Sequence, residues 1–143
     1  MTAPLPPPAP PWRFTLILLT AFAGLVSLII VVRARTAQSV ESARRQALVW
    51  DLGQLVAAQD AAVLEYGRFA RVIGPRNAID TIAFRPTNDS VTIRSDASGA
   101  TGWSAVLHDE QLRTAPRNCG VFLGDVRTSP HRALTVAARP ACW

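Results

Sequence analysis

Residues Phe14 to Val32 run for 19 positions without a charge or a proline. At a rise of about 1.5 Å per residue, a helix of this length spans roughly 28 Å, close to the ~30 Å hydrocarbon core of a bilayer. A water-soluble helix that is apolar on every face has to be buried on every face, and a chain of 143 residues has little interior in which to bury it. The run is therefore read as a membrane span rather than as a core helix. Trp12 and Arg13 precede it, and an amphipathic ring and a long basic side chain both suit the membrane interface. A secretory signal peptide would have an apolar core of about 7–15 residues, charge in front and a small-residue cleavage site behind. Here the core is longer and Arg33 and Arg35 follow it, so a retained anchor is expected. Met1 to Pro11 carries six prolines, which exclude a helix and predict an extended, solvated spacer before the membrane.

Nothing in the sequence stops the helix at Val32. From Arg33 to Tyr66 there is no proline and Gly53 is the only glycine, in a stretch rich in Ala, Leu, Gln, Glu and Arg. Leu48, Leu52, Leu55, Ala62, Tyr66 and Phe69 fall on one helical stripe, widened by Val56 and Val63. The charges Glu41, Arg44, Arg45, Asp51 and Asp60 are placed mostly off that stripe. The reading is one continuous helix from Phe14 to about Tyr66, roughly 80 Å long, greasy all round in its first half and amphipathic in its second. Gly67 is the expected stop, and Gly74-Pro75 ends any residual helical turn.

Beyond Gly67 the pattern changes period. Thr81–Phe84 and Val91–Ser95 read as short strands with Arg85 to Asp89 as a turn between them, and Ser98 to Gly102 reads as a second turn. Trp103, Ala105 and Leu107 alternate with Ser104, Val106 and His108. Asn118–Leu123 and Ala133–Ala138 complete a set of four or five antiparallel strands, with a loop at Asp125 to His131. One face of such a sheet can cover the helical stripe. The expected fold class is α+β, a long N-terminal helix carrying a small antiparallel sheet. The expected segments are a leader at 1–13, the membrane half of the helix at 14–32, its amphipathic half at 33–70 and a sheet domain at 71–143.

The net charge of +5 suggests a nucleic-acid partner until it is located. All 15 basic residues are Arg, and Arg13, Arg33 and Arg35 flank the apolar run. From residue 36 onward 12 Arg face 10 acids, with no basic cluster interleaved with aromatics, so no nucleic-acid partner is expected. His108-Asp109-Glu110 is the one cluster that invites a catalytic reading. Neighbours on a strand point in opposite directions, so adjacency builds no triad, and a solvated turn is the expectation there. Ser104 and Ser129 lack a Gly-x-Ser-x-Gly context, and Asp89, Asp96 and Asp125 show no repeated Asp-x-Asp spacing for calcium. Trp103 and Trp143 are read as packing residues. No enzyme, cofactor or metal site is expected. The two cysteines, Cys119 and Cys142, are too few for zinc and leave two states open, a disulfide or two buried thiols. The disulfide is preferred, because it would pin the end of the chain to a preceding strand, and it implies an oxidising compartment.

Taken together, these pieces resemble the type IV pilins and pseudopilins. Phe14-Thr15-Leu16-Ile17 is similar to the opening of the mature pilin helix. The stretch from Asp51 to Ala70 is similar to the end of that helix and the turn after it. Thr101 to Ala105, Asn118 to Phe122 and Pro140 to Trp143 are similar to the sheet strands and C-terminal disulfide of small bacterial pilin-like proteins. The resemblance covers Phe14 to Trp143. It implies removal of the leader by a prepilin peptidase, N-methylation at Phe14, and assembly with homologous pilin subunits by an inner-membrane platform, with the C-terminal domain outside the cytoplasm. Two positions depart from the family pattern. Arg13 stands where the peptidase meets Gly, and Leu18 stands where a Glu pairs with a neighbour's amino terminus in the filament. The arginines also pull against the implied topology, since Arg33, Arg35, Arg44 and Arg45 outnumber Arg13 near the membrane.

Overall fold

A computed structural model describes residues 12–74, 80–97 and 101–143, apart from the side chains of Arg13, Phe14, Thr15 and Ile17. The extended leader expected over Met1 to Pro11, and parts of the turns expected at Gly74-Pro75 and Ser98 to Gly102, lie outside these residues. The chain divides into two compact units, Met1–Ser39 and Val40–Trp143.

The first unit consists, in its described part, of helix. It is the opening portion of α1, which runs Trp12–Tyr66 over 55 residues. The second unit contains the rest of α1 and all of the sheet, an α+β layout of helix on antiparallel strands. Leu48, Leu52 and Leu55 of α1 are fully buried and Ala62 nearly so, as the stripe requires. Tyr66 corrects that stripe, because it is exposed. The helix ends there. Gly67 takes a left-handed φ of 69°, and its N–H bonds back to the Val63 carbonyl, a helix stop that glycine reaches without Cβ strain.

Six strands follow: β1 (Val72–Gly74), β2 (Thr81–Ala83), β3 (Val91–Ala97), β4 (Gly102–Asp109), β5 (Asn118–Gly124) and β6 (Ala141–Cys142). β3 to β6 form a four-stranded antiparallel sheet in sequence order. β1 and β2 form a separate parallel pair that the sequence pattern did not suggest. Ala133–Ala138, expected as a strand, is a loop with turns, and the last strand is β6 instead. The physical reason is visible in the backbone: Ala138 takes a φ of 60°, incompatible with a strand, and its N–H bonds the Phe122 carbonyl.

The pairing sets which side chains face the helix. Val91, Trp103, Ala105, Leu107, Cys119, Val121 and Leu123 point inward and form one core with Leu48, Leu52, Leu55 and Leu112. This is the period-2 alternation of a sheet with one covered face, where burial of each large apolar side chain contributes about 1.5–3 kcal/mol. Ala62, Ala70 and Ile82 make a smaller cluster where the helix ends. The outer face is not wholly bare. The Trp143 ring lies over Gly120, stacks on His131 at 4.3 Å, and Phe122 beside it is buried.

Candidate functional site: the apolar helix and the polar pins of the head

In the first unit, every described side chain from Leu18 to Val32 is exposed, including Leu18, Leu19, Phe22, Leu28 and Ile30. The first turn holds no acid. The helix is long and apolar enough to cross a membrane, and none of its most apolar window is covered by protein. An apolar helix bare on all sides needs lipid or other apolar helices around it. Just past the run, Thr36 donates its hydroxyl to the Val32 and Arg33 carbonyls and Ser39 to that of Thr36, so these polar groups are satisfied by the helix itself. Arg13 and Phe14, the expected processing pair, sit in the first turn of α1, with side chains outside the described set. Leu18 is 70% exposed and presents a hydrocarbon surface where the resemblance would have a carboxylate.

In the second unit, the polar residues of α1 hold the head together. Glu41, Arg44 and Arg45 are half-buried and Asp51 is buried, which corrects their placement off the stripe. Their positions extend the stripe by one helical step at a time, so the same 3–4 spacing that marks Leu48 to Ala62 reaches them. Arg45 pairs with Glu41 at 3.0 Å and donates to the carbonyls of Thr114 and Pro116. Glu41 accepts from the Thr114 hydroxyl and the Arg113 amide. Together the pair closes over the loop joining β4 to β5. The Thr114 hydrogen bond, against some cost of burial and with help from the Arg113 amide and Arg45, lowers the Glu41 pKa.

Asp109 is fully buried at the end of β4, not in the solvated turn expected for His108-Asp109-Glu110. Its carboxylate meets Arg44 at 3.1 Å and accepts from the Ser90 hydroxyl at 2.7 Å and the Gln111 amide at 2.9 Å. Burial pushes this carboxyl up, but the hydrogen bonds from Ser90, Gln111 and Arg44, with the Arg44 charge, outweigh it and the pKa is lowered. Asp51 accepts from both the amide and the hydroxyl of Thr87, pinning the turn before β3. Gln59, with no exposure at all, clasps the backbone of Ala70. Its carboxamide donates to the Ala70 carbonyl at 2.9 Å and accepts the Ala70 N–H at 2.8 Å.

The remaining sequence candidates separate. His108 lies on the outer face of the sheet with Nδ1 2.8 Å from the Asn118 carboxamide oxygen, while Asp109 faces the core and Glu110 is exposed. Asp89 pairs with Arg85, and Asp125 caps the 3₁₀ turn Val126–Thr128. Ser129 donates to the carbonyls of His131 and Leu134 in the loop after it. Trp103 is buried in the core as a packing residue, and its Nε1 has no hydrogen-bond partner among the described residues. Cys119 and Cys142 form a disulfide directly across the β5–β6 register, so the paired state is the one present. The chain matches no family model, no curated protein and no solved structure.

Proposed function

We propose that this chain is a pilin-like structural subunit, minor or atypical, of a bacterial pilus or secretion-system pseudopilus, and that it catalyses no reaction. The observation that carries the reading is α1 itself. One helix supplies both a bare apolar segment of membrane length and, further along, the spine of a sheet-bearing head. A helix apolar on every side is equally well solvated by lipid or by copies of itself, so assembly machinery can draw it from one to the other. Its partners on this reading are homologous pilin subunits, the prepilin peptidase and the inner-membrane assembly platform. The head lies outside the cytoplasm, where the Cys119–Cys142 bond persists. The ion pairs of the head also ease the conflict with the arginine distribution. Arg44 and Arg45 have folding partners in Asp109 and Glu41, which accounts for their place in the chain without a role in setting topology.

Arg13 and Leu18 favour a second reading, a single-pass anchored sensor or adaptor domain that is neither cut nor polymerised. The intact mass of the native protein, purified from the membrane fraction without reductant, separates the two. A chain that starts at Phe14, carries one added methyl and lacks the two hydrogens of a disulfide is the expected result. A chain that starts at Met1 overturns the filament reading in favour of the permanent anchor.

A further inference from the structure

The two edges of the four-stranded sheet differ. β6 closes one side with two residues, whereas β3 offers seven, and no described strand pairs with its outer side. The Glu110 N–H bonds the Ser90 carbonyl, and the register carries that phase along the strand. Thr92, Arg94 and Asp96 therefore turn their backbone groups toward β4, while Ile93 and Ser95 turn theirs away from the sheet, where another strand could bond them. Cover is thin here as well. Ile93 and Ala97 are half-buried against the core, and Ser95, on the helix-facing side between them, is exposed.

A natural edge is commonly blunted by charge, proline or a bulge. β3 has no proline and its register runs without a bulge. Its two charges, Arg94 and Asp96, are exposed on the outer face, and neither makes an ion pair among the described residues. They are opposite in sign, and that decides how a copy of the strand would meet this edge. Centred on Arg94 or Asp96, an antiparallel pair sets like charges face to face, which is destabilising. Centred on Thr92 or Ile93, it sets Arg94 against Ser90 or Thr92 and gains no ion pair. Centred on either end, it loses most of the overlap. Centred on Ser95, it sets Arg94 opposite Asp96 of the copy and Asp96 opposite its Arg94. Both are non-hydrogen-bonded positions, where facing side chains stand closest. On the helix side Ile93 then falls opposite Ala97, apolar on apolar, and the two Ser95 residues meet on the axis.

From this self-complementarity we infer that β3 is a docking edge for a second copy of this chain, pairing antiparallel about Ser95 and joining the two sheets into one. The contact is isologous, so it closes at two chains. A single strand edge buries less than a standard permanent interface, so the pair is transient and is read by trapping it. The inference goes beyond the filament reading and does not need it, because a cut and an uncut chain present the same edge.

The test is disulfide trapping of the full chain in zwitterionic detergent micelles under mild oxidation, with dimer read on a non-reducing gel. Cys119 and Cys142 are already joined, so an introduced cysteine is the one free thiol in each chain. In the proposed pair the two Ser95 Cα atoms stand about 5.5 Å apart, within disulfide reach. Thr92→Cys, three residues from the axis, places its thiols about 20 Å apart and controls for contact through α1 alone. Ser95→Cys is expected to give dimer and Thr92→Cys monomer. In the Ser95→Cys background, Arg94→Asp or Asp96→Arg alone turns both ion pairs into like-charge contacts and is expected to cut the dimer yield about tenfold. The two changes combined in one chain are expected to restore the yield, and so is an equimolar mixture of the two single variants, because opposite charges face each other again. That recovery also shows that the exposed changes leave the head folded. Three results overturn the proposal: no dimer through Ser95→Cys, equal dimer through Thr92→Cys, or charge changes that leave the yield unaltered or that the swap fails to reverse.

Discussion

Gln59 does the work of a peptide group. Its carboxamide matches the donor and acceptor of the Ala70 backbone while fully buried, three residues past the glycine that ends the helix. Removing it would strand a buried N–H and a buried C=O, each costing on the order of 1–3 kcal/mol. Gln59→Ala is accordingly expected to destabilise the head by about 2–4 kcal/mol, read as a lower guanidinium midpoint with an unchanged slope. Asp109 gives the molecule a pH dependence with a definite sign. Its pKa is lower folded than unfolded, so on acidification the unfolded chain takes up the proton first. The stabilisation is complete above the ordinary carboxylate range near ~4 and is lost as pH falls through the lower folded value. Glu41 shifts in the same direction and adds to the effect. Guanidinium midpoints measured between pH 7 and pH 3 are expected to fall below about pH 4. In Asp109→Asn the midpoint is expected to be lower at pH 7 and flatter across that acid range.

At the scale of elements, the second part of α1 was readable because its spacing repeats: Leu48, Leu52, Leu55 and Ala62 recur with the helical period and all are buried. The charged residues in register with them were harder to place, since Glu41, Arg44, Arg45 and Asp51 on a helix more often face water, and only the loops they hold reveal why they turn inward. Those loops, Thr87 and Thr114 to Pro116, are distant in sequence, and no local pattern announces the pairing. Strand alternation was legible through Trp103 to Leu107. The strand expected at Ala133 to Ala138 failed because an apolar run can equally be a loop laid over a sheet, and the φ of Ala138 is a tertiary outcome. Thr81–Phe84 was legible as a strand and is β2, but its parallel pairing with β1 was not, since the three residues Val72–Gly74 carry too little period to see. Arg45 tests the clamp as an element. Arg45→Ala is expected to raise amide exchange across residues 113–117 by about tenfold while β4 and β5 keep their protection, which hydrogen-exchange mass spectrometry would read directly. Arg45→Lys, which lacks the guanidinium fork, should rescue it only in part.

For the molecule as a whole, the apolar helix and the head pose separate requirements. The first needs an apolar surrounding that the described residues do not supply, and the second carries its own core. The long apolar helix and the α+β class were legible because both rest on long, strongly patterned segments. The proposed processing pair Arg13 and Phe14 and the proposed departure at Leu18 take their meaning from other molecules, so the intact-mass measurement decides them. The disulfide is where the head borrows stability from a covalent link. Closing a loop of 23 residues' separation contributes roughly 3 kcal/mol on the chain-entropy model, and Cys142→Ser is expected to lower the midpoint by about that amount. The same bond changes what a cut would do. Arg127 and Arg132 are exposed and lie between Cys119 and Cys142, so a protease that nicks the backbone at either one releases nothing. Both pieces stay fastened across β5 and β6 and migrate together until the sulfurs are reduced, so damage at this end of the head stays hidden on a non-reducing gel.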